Sequence, residues 1–200
     1  MKITTRRLVI IGVLGAISIV LGLTPLGIIP IPFSPTRATI MHIPVIIASI
    51  VEGPIVGLFV ALIFAGTSMY QAVTNPTPVS FVFLDPLVAI MPRLLIALTS
   101  YYSYRAIERL LSKKDNRLRV RVGSGVSAAI GTFTNTVGVL SAIYIRHGAA
   151  YGEKLGVGAH GTGALLMGIA VTHGIPEIIV AVLIITAVVS ALKRMHARQS

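Results

Sequence analysis

The chain has 200 residues, of which 54% are hydrophobic and 12% charged, with a formal net charge of +11 and no cysteine. Soluble domains carry about 25% charged residues, so this composition describes an integral membrane protein and leaves no room for a large soluble domain. The missing cysteines exclude disulfides, thiolate nucleophiles and cysteine–zinc sites, and the absence of GxxxxGK[ST] excludes a Walker-A nucleotide site.

At about 20 residues per helical crossing, six spans are predicted. The first covers about 7–24, behind the basic stretch Lys2, Arg6 and Arg7, and reads as a retained span rather than a cleaved leader. The segment PLGIIPIPFSPTR holds four prolines and predicts a broken external loop. Span 2 is placed at about 38–52, short for a full crossing, and Glu52-Gly53-Pro54 turns the chain into span 3 at about 54–73. A Pro-rich loop at 74–80 precedes span 4, about 81–110, and the run SKKDNRLRVR reads as a solvated loop. Span 5 is placed at about 122–145, the Gly-rich stretch 147–172 is read as an external loop, and span 6 covers about 175–194. The expectation is an all-α membrane protein with one domain over 1–200.

Thirteen of the seventeen Lys and Arg residues fall in the N-terminal stretch, in Arg105–Arg121 or at the C-terminus. Cytoplasmic loops concentrate Lys and Arg, so both termini and the 112–121 loop are placed inside the cell. The same clustering assigns the positive charge to membrane topology rather than to nucleic acid. The outer loops are then longer and richer in Pro and Gly than the inner turn at 52–54, which suits an external binding mouth.

Candidate site residues are the polar groups at membrane depth, where an ionised side chain costs about 2.5–3.5 kcal/mol even on insertion scales. Arg93 lies about 15 Å below the outer end of span 4. Its planar fork suits a carboxylate, although carbonyls of a broken helix or Asp85 could satisfy it instead. Asn135, between Thr134 and Thr136, needs partners from a ligand or a neighbouring helix. Glu177 stands four residues after His173, a spacing compatible with a metal pair but lacking further ligands. It also fits a helix-start carboxylate, or an acceptor for a ligand's hydroxyl or amide groups. His42, at the start of span 2, is either packed or site-lining. Gln71 and Ser68, with Thr67 beneath them, could line a site or pack between helices. Gly12 and Ala16 form a small-xxx-small pair on span 1, which permits close approach of another helix in lipid.

Six spans with both ends inside, the broken first external loop and the small-residue face of span 1 resemble the substrate-binding (S) components of energy-coupling factor (ECF) vitamin transporters, over essentially the whole length. The most specific stretches are Arg37-Ala-Thr-Ile-Met-His-Ile-Pro-Val-Ile-Ile-Ala, Glu52-Gly-Pro-Ile-Val-Gly-Leu, Asp85-Pro-Leu-Val-Ala-Ile-Met-Pro-Arg93 and Thr134-Asn-Thr136. MHIPVIIA with the following Gly-Pro is most similar to the pantothenate branch; folate, riboflavin and cobalamin are the alternatives. The resemblance implies a multi-pass subunit of the prokaryotic cell membrane that takes a vitamin from outside. It also implies a motor of one coupling membrane subunit and two ATPases. No cofactor is expected in this chain, ATP being hydrolysed by those partners. The usual Ala-xxx-Ala docking pattern appears here with Gly12 at its first position. Pantothenate has one carboxylate, two hydroxyls and one amide, and it suits a chain with no Trp and 6% aromatics. Arg93, or Arg37 in the external loop, would take the carboxylate; Asn135, Thr136, His42, Glu177 and Gln71 would take the rest. No metal site and no catalytic residue are expected, since HExxH and GxSxG are absent. An intramembrane enzyme and a receptor without transport are the rival classes.

Overall fold

The computed structural model describes residues 4–29 and 38–199. The fold is a helical bundle. Five helical segments are long and apolar enough to cross a membrane: Thr5–Leu23, Pro54–Thr74, Pro86–Leu110, Asn116–Lys154 and His160–Met195. A sixth helix, α2 (Ile43–Glu52), is only 10 residues long. At 1.5 Å per residue it reaches about 15 Å, half a hydrocarbon core. Eight of its residues, Ile43 to Ile50, are buried, and it forms the centre of the bundle rather than part of its wall.

Helix α1 (Thr5–Leu23) turns Gly15, Ser18 and Gly22 inward. Ser18 Oγ donates to Met41 O at 3.1 Å. Gly12 and Ala16 are exposed, and a Cβ on Gly12 would meet nothing within 4 Å. After α1, a 3-10 turn at Pro25–Gly27 leads into β1 (Ile28–Ile29), which pairs antiparallel with β2 (Ala38–Thr39). Helix α2 ends at Gly53, whose φ of 99° is a left-handed value that glycine adopts without strain. Pro54 then opens α3 (Pro54–Thr74), its missing N–H costing nothing in a first turn. Glu52 pairs with Arg6 at 3.1 Å and Arg7 at 3.7 Å, tying the end of α2 to the start of α1 on one side of the bundle.

The single span expected over 81–110 is broken. It comprises a 3-10 turn at Ser80–Leu84, α4 (Pro86–Ala89) and α5 (Met91–Leu110). Asp85 caps α4 by accepting from Leu87 N at 2.9 Å. Pro86 and Pro92 each sit in a first helical turn, which divides the segment in two.

The largest departure lies beyond residue 145. The stretch read as a Gly-rich external loop is helical: α6 runs Asn116–Lys154 and α7 runs Gly158–Gln199. These helices are roughly 58 and 63 Å long, about twice the hydrocarbon thickness, so their hairpin stands out of the membrane. Only a short turn separates them, with Gly156 at φ 73° and Gly158 at φ 63°. Gly152 serves close packing here. Thr162 Oγ1 lies 3.0 Å from both Gly148 O and Gly158 O. A Cβ on Gly152 would collide with Thr162 and Gly158. Small residues let backbones approach in this way, a role that composition alone does not distinguish from helix breaking.

Candidate functional site

A cavity of about 460 Å³ opens between the outer halves of the helices, within the roughly 300–1,000 Å³ typical of small-molecule sites. Its rim includes the end of α1 and the β1–β2 pair through Ile28 and Thr39. One wall is a stripe of α3, Phe64, Ser68, Gln71 and Asn75, spaced to share one helix face.

Arg93 lies at the cavity's deep end and is 5% exposed. Its position follows from the broken span. Pro92 has no N–H to give Val88 O, and Arg93 Nη1 donates to that carbonyl at 2.8 Å. Its guanidinium carbon sits 5.1 Å from the Phe64 ring centroid and 5.5 Å from that of Phe83, so two aromatic faces hold it. Nε has no protein partner. Asp85, one of the partners considered for Arg93, is committed elsewhere. It accepts from Arg146 Nε at 2.9 Å and pairs with His147 Nε2 at 3.1 Å, joining α4 to α6 on the outer side. The Arg146 hydrogen bond, with the Leu87 N–H behind it, holds the Asp85 carboxyl below the usual carboxylate range.

Asn135 and Thr136 reach the cavity from α6, and Glu177 and His173 from α7. Asn135 is buried and its Oδ1 has no partner. Glu177 is 6% exposed. Its Oε1 accepts from Thr39 N at 2.7 Å and its Oε2 from Thr136 Oγ1 at 3.4 Å, so one carboxylate ties the rim strand to α6 and α7. The preceding Pro176 lies inside α7 and withholds the N–H that Thr172 O would otherwise accept, an irregularity beside the cavity. Glu177 is thus a cross-linking acceptor in mid-helix, which differs from both the helix-start and the metal-pair readings. Among the described residues no group of three or more His, Asp or Glu could hold a metal ion.

Arg93, Asn135, Thr136, Glu177 and Gln71 therefore share one cavity. His42 does not line it: the ring is fully buried behind the wall, with Nε2 3.0 Å from Thr132 Oγ1. Arg37 falls outside the described residues. Sequence reasoning missed Tyr151, 1% exposed, which lines the cavity with a hydroxyl that has no partner. Tyr151 falls in the stretch read as an external loop, which is instead the last part of α6. Phe64 and Phe83 were also missed as the pair that grips Arg93.

Fold and site together define a membrane-embedded bundle with a small-molecule cavity, a buried cation in its wall and no Walker-A nucleotide-binding loop in its sequence. A family model described as "ECF transporter, substrate-specific component" matches residues 6–189. The chain is also 33% identical, over 177 residues, to the "Pantothenic acid transporter PanT" of Lactococcus lactis subsp. cremoris (strain MG1363), with 82% of this chain and 81% of that protein covered. The chain belongs to the substrate-specific components of ECF transporters. It is a multi-pass plasma-membrane transport subunit and not an enzyme; the family takes up vitamins in concert with ECF motor partners.

Proposed function

We propose that this subunit captures pantothenate from outside the cell and delivers it inward with a motor of one coupling membrane subunit and two ATPases, which hydrolyse the ATP. The observation that carries the ligand is Arg93: a buried guanidinium in the wall of a cavity that mixes apolar and polar side chains, with Nε still without a partner. A carboxylate entering the cavity completes that group's hydrogen bonding away from water, where charge-assisted bonds are strongest. The ligand's hydroxyl and amide groups then meet Asn135, Thr136, Gln71 and Tyr151. Glu177 acts chiefly through its hold on Thr39 and Thr136. The similarity to the lactococcal pantothenic acid transporter supports the same ligand.

The test is uptake of radiolabelled pantothenate by cells expressing the chain with and without the coupling and ATPase subunits, alongside a thermal-shift panel of vitamins on the purified chain. Accumulation only with the motor, and stabilisation by pantothenate that grows with saturation, are expected. A panel in which folate, riboflavin or cobalamin stabilises and pantothenate does not would reassign the ligand.

The exposed Gly12–Ala16 face of α1 is the proposed docking surface for the coupling subunit, because nothing among the described residues covers it. Gly12→Leu is expected to abolish uptake and co-purification of the motor while leaving vitamin affinity within about twofold, since the added side chain points away from the cavity.

A further inference from the structure

At the cytoplasmic end of the bundle, the first turns of α6 and the last turns of α7 part around a second cleft of about 330 Å³. Its walls carry four cations, Arg117 and Arg121 from α6 and Lys193 and Arg194 from α7, and no acidic residue. None of the four forms an ion pair among the described residues. The nearby carboxylates are engaged elsewhere: Asp115 accepts from the backbone N of Arg117 at 3.1 Å, and Glu108 pairs with Arg105 at 2.9 Å. Lys193 Nζ lies 5.7 Å from the Tyr104 ring centroid, which fixes its stem against α5. Ser190 adds a buried hydroxyl with no partner to the same wall.

Four like charges converging on one cleft repel one another unless an anion stands between them. The donor set of guanidinium forks, one ammonium and one hydroxyl suits the oxygens of a phosphate group. The membrane supplies that group at this level. Arg117 and Arg121 lie where the cytoplasmic basic loop enters the apolar part of α6, and the neighbouring Leu118 and Val122 are exposed apolar side chains that acyl chains would cover. Basic pockets between transmembrane helices on the cytoplasmic side are suited to anionic lipid headgroups.

We propose that this cleft binds the phosphodiester headgroup of one anionic lipid of the inner leaflet and so holds the inner end of the α6–α7 hairpin at the membrane surface. The inference does not depend on the identity of the vitamin.

The purified full chain in phosphatidylcholine nanodiscs, titrated with phosphatidylglycerol and read by native mass spectrometry, tests it. Saturable retention of one phosphatidylglycerol is expected. The Arg117→Gln/Arg121→Gln variant is expected to bind it about 30-fold more weakly, two basic contacts having been removed. Lys113→Gln/Lys114→Gln, which removes the same charge from exposed loop positions outside the cleft, is expected to stay within about threefold. Arg121→Lys retains the charge and provides a folded variant expected to keep binding. Equal loss in the two double variants would overturn the proposal in favour of diffuse surface charge. Stabilisation by inorganic phosphate equal to that by phosphatidylglycerol would overturn it in favour of a free-anion site. Retention without saturation would also overturn it.

Discussion

The two halves of the bundle solve opposite problems with the same helices. The cytoplasmic half packs around α2, where Val45, Ile46, Ala48 and Val60 have no exposure and Gly131 leaves room for the Ile46 side chain. Some of its hydroxyls turn back on their own helices, Ser49 Oγ donating to Val45 O at 2.8 Å and Ser124 Oγ to Val120 O at 2.7 Å, while Ser103 and Ser127 meet at 3.1 Å between α5 and α6. In the outer half the span before α5 breaks ahead of Pro92, α7 carries Pro176 inside it, and buried charged groups reach across elements, Arg93 to Val88 O and Glu177 to Thr39 N. There the interruptions coincide with the cavity. Regular helices close their backbone hydrogen bonds internally, so a polar site at membrane depth requires places where they do not.

That contrast is open to test by substitution, beginning with the largest expected effect. Arg93→Ala removes one partner of a buried charge pair once the vitamin is bound, so affinity should fall by about 2–5 kcal/mol, at least roughly 30-fold, in isothermal titration. Thermal stability without ligand should change far less. Ile46→Ala should give the reverse pattern. Stability should fall by about 2–5 kcal/mol in denaturant unfolding, with the affinity of the folded fraction little changed. If Ile46→Ala weakens binding as strongly as Arg93→Ala, the two halves are not separate. Tyr151→Phe should cost roughly 1 kcal/mol of affinity, about fivefold, by removing one hydrogen bond. An unchanged affinity would remove Tyr151 from the ligand's contacts.

The smallest effect concerns the Asp85–Arg146–His147 tether over the cavity. The Asp85 carboxyl titrates below its ordinary range in the folded chain, so the unfolded chain takes up its proton first as pH falls. The tether's stabilising contribution is complete above about pH 5 and is lost as pH drops through the depressed value. In thermal unfolding, the small lead of wild type over Asp85→Asn should be constant near neutrality and shrink below about pH 4. A lead that grows with acidification would contradict this assignment.

Much of this architecture was legible in the sequence. Apolar runs of crossing length gave the all-α membrane class. The resemblance gave the family that the comparisons establish. Arg93, Asn135, Thr136, Glu177 and Gln71 stood out as polar groups in apolar surroundings, and they converge on one cavity. The 147–172 stretch was misread because glycine has two uses, breaking helices and, as at Gly152, letting two of them approach closely, and composition does not say which applies. That misreading hid Tyr151. His42, open in the sequence to a packed or a site-lining role, is packed, and its partner is Thr132, 90 positions away in sequence.

The most direct measurement is a two-by-two cycle of affinities, pantothenate and its alcohol analogue against wild type and Arg93→Gln. If the guanidinium receives the carboxylate, pantothenate should lose at least about 2 kcal/mol on the substitution while the alcohol loses little, a coupling of similar size. Equal losses for both ligands, or none for either, would place the carboxylate elsewhere and contradict the role assigned to Arg93.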